Sequence, residues 1–170
     1  MAGHNGRSGA PDAIRLALPA APAGGLHLST MTTAYIVYCS ATWSTAGLAE
    51  DIAAHLRERG IEATVASFDE CDEAALGEVD YLFLGCWTHG LFVIGQHPEE
   101  AWVRFAQRLP RLDRPRVALF TTYRILTGSM FGRMRRALDG KDARVELELK
   151  SRGTVLTAAG RGALDRFLGA

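Results

Sequence analysis

The sequence predicts an α/β protein built on a doubly wound, five-stranded parallel sheet. From Ala34 onward, strand-like and helix-like segments alternate, which is typical of a parallel sheet covered by helices on both faces. The segment from Val79 to Leu84 is mainly apolar, as expected for a central strand buried on both sides. Because no internal repeat or linker interrupts this pattern, we expect one domain over residues 33–170.

The first half of this domain contains three predicted strands. Tyr35 to Tyr38 is a run of β-formers, and Ile61 to Phe68 contains the second strand. A helix is predicted between them from apolar residues at helical spacing, and Gly60 ends it. These apolar residues are Leu48, Ile52 and Leu56. An acidic segment around Leu76 precedes the third strand and is counted among about five helices.

Helices and strands continue to alternate in the second half. Pro98 opens a helix whose first turn carries Glu99 and Glu100, which favour the helix dipole, and Pro110 closes it. Its predicted buried stripe is Trp102, Phe105 and Leu109. The later elements are a strand at 117–120, a helix with Met130, Met134 and Leu138 that Gly140 ends, a strand at 145–149, and a last helix with Leu164, Phe167 and Leu168.

The composition is that of an ordinary globular protein, with 48% hydrophobic and 22% charged residues. Lys plus Arg and Asp plus Glu both number 19, so no net charge attracts nucleic acid or an anionic membrane. The apolar stretches are too short to cross a bilayer, which takes about 20 residues. Cys39, Cys71 and Cys86 form no CxxC motif, which predicts free thiols in a reducing cytoplasm.

Residues 1–32 differ from the rest of the chain, being rich in Gly, Ala and Pro and without a sustained period. Arg15, Pro19 and Pro22 break the apolar part, which argues against a secretory signal peptide. We interpret the segment as a disordered leader. Met31 directly precedes the first strand, and this leaves open a second interpretation, in which translation starts there.

The loops after strands one, three and four form the predicted binding region, because ligands of doubly wound sheets bind at the carboxyl ends of the strands. The first loop carries four hydroxyl residues within six positions, namely Ser40, Thr42, Ser44 and Thr45. Hydroxyls and backbone N–H groups at a helix N-terminus form a phosphate site. The alternative is that Ser44 or Thr45 merely caps the helix, but four hydroxyls exceed what one cap needs.

The segment from Val37 to Thr45 resembles the flavodoxin phosphate loop, whose pattern is S/T-x-T-G-x-T after the first strand. Ser40, Thr42 and Thr45 fall on the hydroxyl positions, and Trp43 stands where the family usually has Gly. The resemblance implies a flavodoxin-like three-layer sandwich with strand order 2-1-3-4-5 and FMN as the cofactor. The implied ligands of the FMN phosphate are Ser40, Thr42, Ser44 and Thr45.

Two later loops resemble those that hold the isoalloxazine ring in flavodoxins. The flavin-contacting residues so implied, with Trp43 of the first loop, are Cys86, Trp87, Thr88, His89, Gly90, Thr121, Thr122 and Tyr123. A flat redox ring stacks well on aromatic side chains, so Trp87 and Tyr123 are predicted to sandwich it. The alternative is that Trp87 continues the core and that Tyr123 is partly exposed near a turn.

The leading hypothesis is an FMN-binding electron carrier that exchanges electrons with redox partner proteins and needs no catalytic side chain. Two alternatives stay open. One is an FMN-dependent NAD(P)H:quinone-type reductase acting on a small quinone-like substrate, often a dimer. The other is a flavin-free binding or regulatory module, which Trp43 favours, because a fold alone does not fix function.

Three further groups of residues are open to a functional interpretation. His89 and His97 lack a third ligand, so we predict no metal site. Cys39 and Cys86 end neighbouring strands in the implied order and are interpreted as small buried thiols. A basic cluster on the helix before Gly140 fits a solvated face, an acidic redox partner or the phosphate of a nicotinamide nucleotide. The cluster is Arg133, Arg135 and Arg136.

Overall fold

A computed structural model of the chain describes residues 31–39, 43–87, 100–123 and 129–169. Within these ranges five strands alternate with four α-helices. The strands are β1 (Thr33–Cys39), β2 (Glu62–Ser67), β3 (Tyr81–Trp87), β4 (Arg116–Thr122) and β5 (Arg144–Ser151). The helices are α1 (Trp43–Arg57), α2 (Glu100–Arg108), α3 (Met130–Ala137) and α4 (Ala158–Leu168).

The five strands form one parallel sheet in the order β2-β1-β3-β4-β5. This confirms the predicted sheet and strand order. The strand order reverses between β1 and β3, whose ends are in register, with Cys39 opposite Cys86. β3 and β4 also end together, with Trp87 opposite Thr122. The sheet therefore presents the carboxyl ends of three adjacent strands at one edge.

Each face of the sheet carries its own core, because successive strand residues point to opposite faces. In β1, Ile36 packs with α1 and α4, whereas Val37 packs with α2 and α3, and both are fully buried. The predicted stripe of α2 is buried in the second of these cores. None of the helices in the described ranges is long and apolar enough to cross a membrane.

Two elements differ from the sequence prediction. The acidic segment before β3 forms only a short 3-10 turn (Ala75–Gly77) in which Leu76 alone is buried, because it lacks the apolar stripe that packs a longer helix. β3 runs to Trp87, three residues beyond the predicted end at Leu84, since Gly85 and Cys86 still pair with both neighbouring strands. The predicted helix start at Pro98 and Glu99, and residues 1–30, lie outside the described residues.

A polar cluster ties α1 to α4 at the edge of the first core. The imidazole of His55 is buried, with Nε2 2.8 Å from Asp165 Oδ1 and Nδ1 3.1 Å from Arg161. Because a guanidinium can only donate, Nδ1 is the acceptor and Nε2 carries the hydrogen. Arg161 also donates to both carboxylate oxygens of Asp51, at 2.8 and 3.0 Å. The cluster thus fixes the orientation of the His55 ring and joins the two helices.

Asp165→Asn tests this cluster through its pH dependence. The hydrogen bond from His55 lowers the pKa of the Asp165 carboxyl, and the Arg59 charge lowers it further. A lowered folded-state pKa adds stability above the unfolded value of about 3.9 and loses it as pH falls. We expect the variant's deficit in free energy of unfolding to be full above about pH 5 and to shrink below about pH 4.

Urea unfolding across this pH range measures the deficit. Asp113→Asn is the control, because Asp113 is exposed and forms no ion pair within the described ranges. A deficit of Asp165→Asn that stayed constant down to about pH 3 would contradict the assignment.

Gly85 is required in β3 because its neighbour leaves no room for a side chain. A Cβ there would overlap the ring of Phe120, which is fully buried in β4. We expect Gly85→Ala to lower the free energy of unfolding by about 1–3 kcal/mol, since the ring must move. Adding Phe120→Leu should recover part of this loss.

Gly132→Ala in α3 is the matched control for Gly85→Ala. An added Cβ at Gly132 meets nothing within 4 Å, so the change should be neutral or stabilising by up to about 1 kcal/mol. Equal losses in the two variants, measured by chemical denaturation, would show that Phe120 does not set the requirement.

Candidate functional site

The carboxyl edge of β1, β3 and β4 is the candidate site. α1 begins at Trp43, just after β1 in the chain, so its N-terminus lies at this edge. The predicted residues that the structure describes gather here, on the last residues of β3 and β4 and on the first turn of α1. Ser40, Thr42, Thr88, His89 and Gly90 lie outside the described residues and stay predictions.

The first turn of α1 has the character of an anion site. It carries no acidic residue, and helix geometry leaves its first backbone N–H groups without an intrahelical partner. These groups and the helix dipole favour a negative charge. Ser44 is half-buried beside them, whereas the Trp43 side chain is 89% exposed. The Trp43 indole is therefore largely in contact with solvent.

A buried pair of hydroxyls joins this turn to β4. Thr45 Oγ1 lies 2.8 Å from Thr122 Oγ1, and the two residues are 77 positions apart in the sequence. Thr45 is fully buried and Thr122 nearly so. A threonine hydroxyl offers one hydrogen and two lone pairs, so either hydroxyl can donate in this bond. Its immediate effect is to hold the N-terminus of α1 against the end of β4.

Cys86 and Thr121 are buried and bonded to the backbone of the strand ends. Thr121 Oγ1 donates to the carbonyl of Cys86 at 2.6 Å, and Cys86 Sγ lies 3.4 Å from the carbonyl of Trp87. The Thr121 hydroxyl thus braces β4 against β3, whereas the Cys86 contact stays within β3. Their predicted contact with a ligand would have to come from the backbone.

The predicted aromatic pair lies at the ends of two adjacent strands. Trp87 is half-buried and packs against the core under α2 and α3, so part of its ring belongs to that core. Tyr123 is half-buried too, and its N–H donates to Ser151 at the end of β5. The guanidinium of Arg152 lies over the Tyr123 ring, 5.6 Å from its centre. The sequence analysis missed Arg152, although β5 ends at the same edge.

Cys71 is not poised for thiol chemistry. All three cysteines are free, and burial raises the pKa of the Cys71 thiol to about 11, with the Glu73 carboxylate raising it further. Such a thiol carries almost no thiolate at neutral pH. In the part of the chain that the structure describes, no group of three His, Cys, Asp or Glu side chains is placed to hold a metal ion.

A comparison with known protein families identifies the family of this chain. The family model described as Flavodoxin matches residues 36–146, which is well over half of the chain. The chain belongs to the flavodoxin family. Its matched region runs from β1 into β5 and so includes the ends of β1, β3 and β4 and the first turn of α1.

Solved flavodoxins share the fold. The flavodoxin of Streptococcus pneumonia TIGR4 is 19% identical with a TM-score of 0.63, covering 81% of this chain and 96% of that one. Two-electron reduced Megasphaera elsdenii flavodoxin is 20% identical with a TM-score of 0.63, covering 79% and 96%. Fusobacterium nucleatum flavodoxin bound to flavin mononucleotide is 12% identical with a TM-score of 0.53, covering 82% and 96%. A comparison with curated proteins finds no match.

The residues of this flavodoxin fit the family's cofactor. Flavodoxins are FMN-binding electron carriers, which confirms the predicted cofactor at the level of the family. The first turn of α1 offers hydroxyls and N–H groups without a carboxylate, which suits a phosphate dianion. The aromatic residues at the ends of β3 and β4 offer surface to a planar ring. When bound, FMN supplies the electron-accepting and electron-donating chemistry.

A double-mutant cycle tests the hydroxyl pair that positions α1. We expect Thr45→Val and Thr122→Val to show a coupling energy of about 0.5–1.5 kcal/mol in the free energy of unfolding, because each variant already removes the shared hydrogen bond. The control cycle pairs Thr45→Val with Thr64→Val, an exposed threonine on β2, and should be additive within about 0.5 kcal/mol. Additivity in both cycles would show that the hydroxyl pair contributes nothing.

Proposed function

We propose that this chain binds FMN at the carboxyl edge of its sheet and carries electrons between redox partners. Ser40, Thr42, Ser44 and Thr45 would hold the phosphate at the N-terminus of α1. Trp87 and Tyr123 would flank the ring, with the backbone at 86–90 and 121–123 beside it. The observation that carries this proposal is the meeting, at one edge, of an acid-free helix N-terminus with two aromatic strand ends.

The chemistry of the described residues supports a carrier. The ends of β1, β3 and β4 carry a thiol, an indole, a hydroxyl and a phenol, and no carboxylate, imidazole or lysine among the residues described there. Such an edge can bind and orient a flavin, and among the residues described there a proton could be exchanged only with a thiol or a phenol. The role of these side chains is therefore to position the flavin and exclude water from it.

Titration of the flavin-free protein with FMN and with riboflavin separates the two halves of the site. Ser44→Ala should weaken FMN by about tenfold or more, because it removes a hydrogen bond to a charged group, and leave riboflavin affinity unchanged. Tyr123→Ala should weaken both ligands by about two- to tenfold through lost stacking. Thr64→Ala, an exposed hydroxyl on β2, is the control. Flavin fluorescence quenching is the readout.

FMN titration and reduction by NAD(P)H, both measured on the unaltered protein, distinguish the alternative functions. Unchanged FMN fluorescence on titration would overturn the proposal and favour a flavin-free module. Rapid bleaching of the bound flavin by NAD(P)H alone would instead favour a reductase. A carrier should be reduced by dithionite and remain oxidised with NAD(P)H until a reductase is added.

A further inference from the structure

A groove of about 650 Å³ runs between α2 and α3, on the face of the sheet opposite α1 and α4. Both helices connect parallel strands, so they run antiparallel to the sheet and begin at its carboxyl edge. Glu100 is the first residue of α2, and Arg133 lies in the first turn of α3. The groove therefore starts at the same edge as the candidate FMN site and extends down the outside of the molecule.

The groove is locally basic on a chain with no net charge. Among the described residues that line it, Arg104, Arg133 and Arg136 stand against one carboxylate, Glu100. Arg133 donates to the hydroxyl of Ser129 and Arg136 donates to the backbone carbonyl of Gly132, and neither contact neutralises a charge. Within the described ranges, none of the three guanidinium groups forms an ion pair.

Three neighbouring arginines differ from those of the groove because each forms an ion pair with a carboxylate. Arg108 of α2 pairs with Glu73 at 2.9 Å, and Arg135 of α3 pairs with Glu148 at 2.8 Å. Arg111, just after α2, pairs with Asp142 at 2.6 Å. These three arginines, none of which lines the groove, are thus satisfied by the chain itself. The three groove arginines have no such carboxylate partner among the described residues, so their guanidinium groups can pair with an acidic ligand.

We propose that this groove is the docking surface for a carboxylate-rich face of the redox partner protein. The proposal rests on the electron-carrier function proposed above. Arginine binds carboxylates in bidentate geometry and is enriched in protein interfaces. Val103, 38% exposed in the groove, adds an apolar contact among the charges. The three arginines stand exposed along an open groove, which suits an extended protein surface better than an enclosed nucleotide phosphate.

The test uses a fluorescein-labelled octaglutamate peptide as the acidic probe and measures its anisotropy with the FMN-loaded full-length protein at low ionic strength. The triple variant Arg104→Gln, Arg133→Gln, Arg136→Gln should weaken peptide binding by about tenfold, the order expected from three exposed ion pairs. The control triple variant Arg108→Gln, Arg111→Gln, Arg135→Gln removes the same charge from paired positions. It should change the affinity by less than about threefold.

Several outcomes would overturn the proposal. These are no peptide binding by the unaltered protein, equal weakening in both triple variants, and tighter, groove-dependent binding of 2′,5′-ADP, which would assign the groove to a nucleotide phosphate. FMN affinity is measured separately on all three proteins and should not change. A protein that binds no FMN would refute the proposed function directly, whereas loss of groove dependence with FMN bound would refute docking alone.

Discussion

A parallel sheet buried on both faces leaves its carboxyl edge as the place where polar groups can meet a ligand. Ile36 and Val37, adjacent in β1, enter opposite cores, and the interior of β3 and β4 is buried on both sides. The parallel register then brings Cys39, Cys86 and Thr121 side by side at the strand ends. The position of the site follows from this burial, because a hydroxyl or N–H group on either face would be enclosed by helices without a partner.

Charged side chains are paired with one another on one face of the sheet and are left without carboxylate partners in the groove on the other face, among the described residues. Between α1 and α4, Asp51, His55, Arg161 and Asp165 satisfy one another, so the cluster is closed and serves to hold two helices together. Between α2 and α3, the arginines of the groove face outward without carboxylate partners among the described residues. Because the chain has no net charge, any electrostatic steering of a partner has to come from such local imbalance rather than from an overall field.

The sequence predicted the sheet well because its strands carry strong local signals, such as the apolar run of β3 and the β-formers of β1. The predicted end of β3 was too early, because Gly85 is a residue type that is common in loops. In the structure Gly85 lies within the strand, where its lack of a side chain leaves room for the ring of Phe120. The contact of Thr45 with Thr122 joins residues 77 positions apart and leaves no local trace. The sequence analysis missed the contact of Arg152 with Tyr123 for the same reason, because only the pairing of β4 with β5 brings the two residues together.

In a flavodoxin the cofactor and the protein have separate roles, so the protein surface carries information about the redox partner. The flavin supplies the redox chemistry, so the protein distinguishes one electron route from another by what it places around the flavin and by the surface it offers to partners. Trp43, almost fully exposed where the family usually has Gly, and the groove arginines both lie outside the two cores. Stability does not require an exposed indole or unpaired guanidinium groups at those positions. The docking proposal assigns the groove arginines to recognition of a partner whose docking face carries carboxylates.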